Sequence, residues 1–229
     1  MAEKRKVIVI IPGRGGSKRL PKKNTLVLGG KPLIQWSIDV ALKFKSSERV
    51  VVSSDDEEIL NIAVQHSAFP MIRDSTLASD TARTFDVVMD CLTRLEHQGE
   101  YYDDVVLLQP TSPMRSIQDL EDSYALYKKN RYQTVVSVCE IDHPIQWTGH
   151  VVGDGQLTGV DFSTAVRSQD IRKSYRVNGA VYIFSTDQLR KNKTFYTQNV
   201  FAHIMPRERS VDIDTRLDFE ICAALLGSV

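Results

Sequence analysis

Val7-Ile-Val-Ile-Ile-Pro-Gly-Arg-Gly-Gly-Ser-Lys-Arg-Leu-Pro-Lys-Lys-Asn24 opens with five β-branched residues and closes with a Gly-rich basic loop. A run with no polar face reads as a strand buried on both sides, as in a parallel sheet. Outward from it, strand and helix patterns alternate. Helices are expected over 31–44, 56–66 and 80–96, and strands over 49–53, 69–72 and 104–108. Such alternation implies right-handed crossovers and a doubly wound, mostly parallel α/β sheet of the Rossmann-like type. Ligands in such sheets bind beyond the carboxyl ends of the strands. The basic loop, Ser53-Ser-Asp-Asp56 and Gln109-Pro-Thr-Ser-Pro-Met-Arg115 all fall at such ends.

The second half is less regular. A helix is expected over 118–129 and strands over 134–139, 180–184 and 200–204, with a closing helix over 216–226. Between Ile141 and Tyr175 the pattern weakens to a hairpin at 150–158 with Asp-Gly at its turn. The reading is one domain spanning 1–229, with 141–175 as an excursion from the sheet.

Composition narrows the partners. Lys+Arg and Asp+Glu both number 29 in 229 residues, so the net charge is zero and a globally basic nucleic-acid surface is not expected. Cys91, Cys139 and Cys222 lie far apart and form no zinc pair or disulfide framework. Val7–Ile11 is too short for a signal-peptide core, and no apolar stretch reaches membrane-span length. The expectation is a cytoplasmic chain with reduced thiols.

Four segments carry chemistry. In the first loop, glycines let backbone N–H groups wrap an anion. Arg14, Lys18, Arg19, Lys22 and Lys23 add charge suited to a polyphosphate, although a solvated basic turn would look similar. The pattern is neither a Walker loop nor Gly-x-Gly-x-x-Gly. Near the far end, Asp212 and Asp214 are two residues apart and face one side of an extended segment. Paired carboxylates suit a hard cation such as Mg²⁺ with substrate phosphate. The competing reading makes Asp214 or Thr215 the cap of the closing helix, with Asp218 in its first turn. Gln109 to Arg115 offers an amide, two hydroxyls and an Arg, and is also ordinary turn chemistry. In Arg73-Asp-Ser-Thr-Leu-Ala-Ser-Asp-Thr81, Ser79 or Asp80 reads as a helix cap, while Arg73 has the reach for a phosphate. The five histidines show no metal-ligand spacing.

These segments, with Gly30-Lys-Pro-Leu33, Val51-Val-Ser-Ser-Asp55 and Tyr175-Arg-Val-Asn-Gly-Ala-Val-Tyr182, resemble the CMP-sialic acid synthetases (acylneuraminate cytidylyltransferases) in the same order along nearly the whole chain. The resemblance implies CMP transfer from CTP to the anomeric hydroxyl of an acidic nine-carbon sugar, with release of pyrophosphate. It implies that Arg14, Ser17, Lys23 and Asn24, with Arg73 and Thr84, hold the nucleotide. Gln109 would contact the sugar, and Tyr182, Phe195 and Tyr196 would line its pocket. Asp212 and Asp214 would hold Mg²⁺, and Arg14, Lys23 and Asp212 would carry the catalysis. It further implies a homodimer whose 141–175 segment helps close the partner's site. Two departures stand out: Gly13 where the family usually has Ala, and Ser168 where it has an Arg for the sugar carboxylate, leaving Arg167 and Arg172 nearest. Substrates in view are N-acetylneuraminic, legionaminic and pseudaminic acids. A cytidylyltransferase for an eight-carbon acidic sugar fits the Lys-Lys-Asn24 and Asn-Gly-Ala-Val-Tyr182 segments less well. A silent nucleotide-binding regulator would have no need of the paired carboxylates.

Overall fold

The computed structural model describes residues 5–79, 81–160 and 172–227. In chain order the elements are β1 (Val7–Pro12), β2 (Val27–Leu28), β3 (Lys31–Pro32), α1 (Leu33–Lys43), β4 (Ser47–Ser54), α2 (Glu57–Gln65), β5 (Phe69–Ile72) and α3 (Thr84–Glu96). There follow β6 (Asp104–Leu107), α4 (Ile117–Lys129), β7 (Val135–Glu140), β8 (His150–Val152), β9 (Gln156–Thr158), β10 (Tyr175–Ser185), α5 (Thr186–Asn192), β11 (Phe201–Ile204) and α6 (Arg216–Gly227).

Seven strands form the main sheet in the order β11-β7-β10-β6-β1-β4-β5. β1 pairs in parallel with β4 and β6, β4 with β5, and β7 with β11. β10 is antiparallel to both of its neighbours. The α/β, mostly parallel Rossmann-like reading is therefore correct, with one reversed strand near the middle.

The β-branched opening run does what its composition demands. Val7, Val9 and Ile11 pack on one face with Ile34, Ile38, Ile59, Leu120 and Tyr127 from α1, α2 and α4. Ile8 and Ile10 pack on the other with Val88, Cys91 and Leu92 of α3 and Leu189 of α5. Alternate side chains leave opposite faces of a strand, so an all-apolar strand needs a helix layer on each side. A third cluster seats α6 through Phe219 and Cys222 on Leu28, Leu33 and Ile213. All three cysteines are buried and free.

Two expected boundaries move. The third helix begins at Thr84 rather than near residue 80. Ser79 spends its hydroxyl on the Thr76 carbonyl at 3.3 Å and so does not cap it; Asp80 lies outside the described residues. The first turn is held instead by Arg83 on Asp86 at 2.8 Å. Residues 31–32 are not helical but pair with β2, and the helix starts after Pro32.

After β7 the chain leaves the sheet, and β8 and β9 form a separate exposed hairpin turning at Gly153-Asp154-Gly155. Ile145, Trp147, Val151, Val152 and Leu157 are exposed there.

Candidate active site

The loop after β1 is fixed by its neighbours at the strand ends. Gly13 N–H donates to the Ser53 carbonyl at 3.0 Å, and Gly15 N–H to Asp55 Oδ1 at 3.0 Å. A Cβ on Gly15 would lie 2.6 Å from the Asp56 carboxylate, so the close approach needs glycine. Asp56 in turn caps α2. The Ser53–Asp56 end is thus a support for the loop.

Asn24, only 6 % exposed, donates Nδ2 to the Arg14 carbonyl at 2.9 Å and leaves Oδ1 without a partner. Lys23 Nζ reaches the Ile213 carbonyl at 2.7 Å and Asp214 Oδ1 at 3.0 Å. The basic loop and the acidic segment therefore meet in space.

Between them lies a cavity of about 360 Å³. Its polar wall is Arg14, Lys23, Asn24, Arg73, Ser79, Thr84, Gln109, Thr111, Asp212 and Asp214, and its apolar wall includes Leu77, Ala82 and Val87. A second cavity, of about 270 Å³, is lined by Arg83, Thr84, Phe85, Leu107, Gln109, Tyr182, Phe195 and Tyr196. Thr84 and Gln109 line both. The Phe195 ring stacks on Phe184 at 4.9 Å and lies 5.9 Å from Phe85. Burial, with the charge and hydrogen bond of Tyr196 beside it, raises the Tyr182 pKa.

Arg73 is buried, with Nη2 on the Ser53 carbonyl at 2.6 Å and Nε on Ser53 Oγ at 3.2 Å. Burial lowers its pKa, against the pull of nearby groups such as Asp55. A guanidinium so desolvated gains from meeting an anion in the cavity.

The acidic segment resolves both of its readings. Thr215 and Asp218 form the reciprocal cap of α6: Asp218 Oδ2 accepts from Thr215 N at 2.7 Å, and Thr215 Oγ1 from Asp218 N at 3.4 Å. Asp214 is not the cap; its carboxylate takes Lys23 on Oδ1 and the exposed Arg19 on Oδ2 at 2.8 Å. Asp212 has a buried Oδ1 with no hydrogen-bond partner. Burial raises the Asp212 pKa, and Asp214 adds to this, while the hydrogen bond from Thr111 opposes both. An orphaned carboxylate oxygen beside a second carboxylate fits a hard divalent cation. Releasing the exposed Arg19 pair from Asp214 costs little. Among the described residues no third His, Cys, Asp or Glu converges on the pair. Further donors to such a cation would be phosphate and water oxygens.

Not every flagged residue stands at a cavity wall. Of the five loop cations only Arg14 and Lys23 line the cavity. Arg19 turns to Asp214, and Lys22, entering a left-handed turn, lies 3.7 Å from Glu58 of α2. Ser17 lines neither cavity. Arg115 is 3 % exposed and also outside both; it donates to the Ala180 carbonyl at 2.8 Å, to Ser37 Oγ at 2.6 Å and to the Gln109 carbonyl. It fixes the backbone behind Gln109. Arg167, Ser168, Gln169 and Asp170 lie outside the described residues. Sequence reasoning missed the apolar wall: Leu77 lay in a flagged segment but was given no role, and no motif marks Ala82 and Val87. Thr111 stood within a flagged segment, but its bond to Asp212 joins residues 101 positions apart and leaves no local signal.

Solved structures share this fold. CMP:2-keto-3-deoxy-manno-octonic acid synthetase complexed with CTP superposes with a TM-score of 0.74 at 18% identity, over 97% of this chain and 99% of that one. 4-Diphosphocytidyl-2C-methyl-D-erythritol synthase from Anaerococcus prevotii gives 0.67 at 11%, over 98% and 100%. Fold and site together define a nucleotidyltransferase.

In sequence, the cytidylyltransferase family model matches residues 8–206. CMP-N,N'-diacetyllegionaminic acid synthase of Legionella pneumophila is 34% identical over 96% of both chains. Pseudaminic acid cytidylyltransferase of Campylobacter jejuni is also 34% identical over 96% of both. N-acylneuraminate cytidylyltransferase of Escherichia coli is 34% identical over 96% of this chain, which spans 52% of that relative. The chain belongs to the CMP-sialic acid synthetase family of cytidylyltransferases. Among the described residues no helix is long and apolar enough to cross a membrane.

Proposed function

We propose that this protein transfers CMP from CTP to the anomeric hydroxyl of a nine-carbon acidic sugar, in the first instance an N-acylneuraminate. The observation that carries the reading is the joined pair of cavities: a cationic and carboxylate-bearing one that meets an aromatic one at Thr84 and Gln109. The first suits a nucleoside triphosphate. The second suits an acylated sugar, with Gln109 at the boundary and Tyr182, Phe195 and Tyr196 around the acyl side.

In the reaction the anomeric oxygen forms a bond to the α-phosphorus while the bond from that phosphorus to the bridging oxygen of pyrophosphate breaks. The hydroxyl proton passes to solvent and pyrophosphate leaves. Arg14 and Lys23 offset the charge growing on the leaving group. Arg73 and Thr84 orient the nucleotide, and Asn24 holds the Arg14 backbone in place. Asp212 and Asp214 would hold Mg²⁺, which supplies Lewis-acid polarisation of a phosphate oxygen when bound.

A second reading keeps the mechanism and changes the sugar to legionaminic or pseudaminic acid. The legionaminic and pseudaminic relatives, which match over 96% of their own length, favour it. In either reading the chain acts as one domain, in the cytoplasm, as a homodimer whose 141–175 excursion meets a second copy.

The test is pyrophosphate release from CTP and Mg²⁺ with each sugar supplied separately. Release with N-acetylneuraminic acid supports the first reading, and release only with legionaminic or pseudaminic acid the second. CTP binding without release for any sugar would leave a silent nucleotide-binding module.

A further inference from the structure

β10 loses register with β7 between Val177 and Tyr182, and Asn178 and Gly179 sit in the break. Asn178 is 1 % exposed and its side chain is fully engaged. Nδ2 donates to Ser210 Oγ at 2.9 Å, and Oδ1 accepts from Ser137 Oγ at 2.6 Å and from Ala180 N at 3.2 Å. Ser210 lies two residues before Asp212, and the segment is tied again beyond it by Ile213 N–H on the Thr111 carbonyl at 2.8 Å. Gly179 has φ +76°, and a Cβ there would lie 2.5 Å from Gln109 Oε1. One dipeptide thus touches the amide at the boundary of the two cavities and anchors the segment that carries the orphaned carboxylate.

We propose that Asn178 and Gly179 are the positioning residues that set the two halves of the site against each other. Asn178 fixes Asp212 through Ser210, and Gly179 leaves the space in which the Gln109 amide stands. The inference rests on the reading that Gln109 meets the sugar and Asp212 the metal. A backbone bulge re-aims side chains without adding any to the cavity. The polar knot beneath it is buried, so it has one satisfied arrangement and strong penalties for others.

The two links predict different failures. Gly179→Ala displaces Gln109, and the KM for the sugar should rise about 10-fold or more while the KM for CTP holds, since misplacement of this order is enough to lose the contact. In a Gln109→Ala background the same substitution should add much less to the sugar KM, because the displaced group is gone. Asn178→Asp and Ser210→Ala loosen the Asp212 segment, and Mn²⁺ should bind at least several-fold more weakly, read by electron paramagnetic resonance with a non-hydrolysable CTP analogue. Melting temperatures are recorded alongside. Uniform loss in every constant in step with the melting temperature, unchanged sugar KM and Mn²⁺ affinity in folded variants, or additive effects of Gly179→Ala and Gln109→Ala would each overturn the proposal. Should Gly179→Ala fail to fold, Ser210→Ala still decides the Asn178 link through Mn²⁺. If the wild type makes no CMP-sugar, the functional reading fails while the Mn²⁺ comparison still answers for the carboxylate half.

Discussion

Lys23 Nζ stands 3.0 Å from Asp214 Oδ1, closing a contact between residues 191 positions apart in the chain. The lysine side chain is only 11 % exposed, so the pair lies at the inner end of the basic loop where the acidic segment passes. Lys23→Met should reduce kcat by about 10²-fold, the loss typical of one preorganised charge donor. The melting temperature should fall only slightly, because Asp214 keeps Arg19. Steady-state pyrophosphate release on the folded variant checks this, and wild-type turnover would remove Lys23 from the chemistry.

Asp212→Asn is expected to separate stability from activity. A buried carboxylate with an unpartnered oxygen beside Asp214 destabilises the metal-free fold, so the amide variant should melt at or above the wild-type temperature. Adding Mg²⁺ with CTP should raise the wild-type melting temperature and leave the variant's closer to its CTP-only value. Thermal shift with and without Mg²⁺ reads both effects. An equal Mg²⁺ response in the two proteins would count against a metal at Asp212.

Acid stability should depend on Asp119. It is buried; burial alone would raise its pKa, but hydrogen bonds from His203, Arg209 and Ser116 together outweigh burial and hold it well below the ordinary carboxylate value. For a depressed carboxyl pKa the stabilisation is present above the unfolded value and is lost as pH falls through the folded one. Urea melts should therefore weaken progressively below about pH 4, and Asp119→Asn should flatten that limb. The variant should also lose about 1–2 kcal/mol at neutral pH, a modest figure because Arg209 is partly solvent-screened. A limb of unchanged steepness would show that other carboxylates govern it.

The aromatic cavity predicts a selective defect. Phe195→Ala removes the ring stacked on Phe184 and tilted against Phe85. The KM for an N-acylated sugar should rise about 10-fold or more, at least the lower end of what one apolar contact is worth, with the KM for CTP unchanged. Parallel initial-rate series in the two substrates test it, and a matching rise in both constants would mean general loosening.

The exposed hairpin predicts an assembly. Trp147 and Val151 are 47% and 71% exposed beside Ile145 and Leu157. Contiguous apolar exposure of this kind marks an interaction surface. Light scattering on the eluting protein should give twice 25.9 kDa for the wild type, and Trp147→Glu with Val151→Glu should shift it toward the monomer. A monomeric wild type at micromolar concentration would end the homodimer reading.

Much of this architecture was legible because local chemistry and global position agree. The β-branched run at Val7 has a single comfortable place, between two helix layers. The residues that line the first cavity follow strand ends, where an α/β sheet gathers its ligands. What escaped was direction and depth. An apolar strand reads the same either way, so the reversal of β10 left no mark in residues 180–184. Charge type does not tell which side of a loop a residue takes, so Lys22 and Arg19 read like Lys23 and yet bind Glu58 and Asp214 on the outside. Arg115 stood in a segment that offered polar groups at a strand end, and nothing local marks it as buried; two acceptors from distant segments, the Ala180 carbonyl and Ser37 Oγ, with the nearby Gln109 carbonyl, make its burial tolerable.

The place of β10 between β6 and β7 bears on how the molecule is made. A ribosome releases β1, β4, β5 and β6 with their helices long before it reaches residue 185. That first half can pair within itself, yet one edge of β6 stays open until the late strand arrives. An unpaired apolar edge is a template for foreign strands, and closure over so long a stretch is slow. Nascent chains truncated after β6 should therefore be the stage most dependent on chaperones, with solubility recovered only once β10 has emerged and taken its central slot.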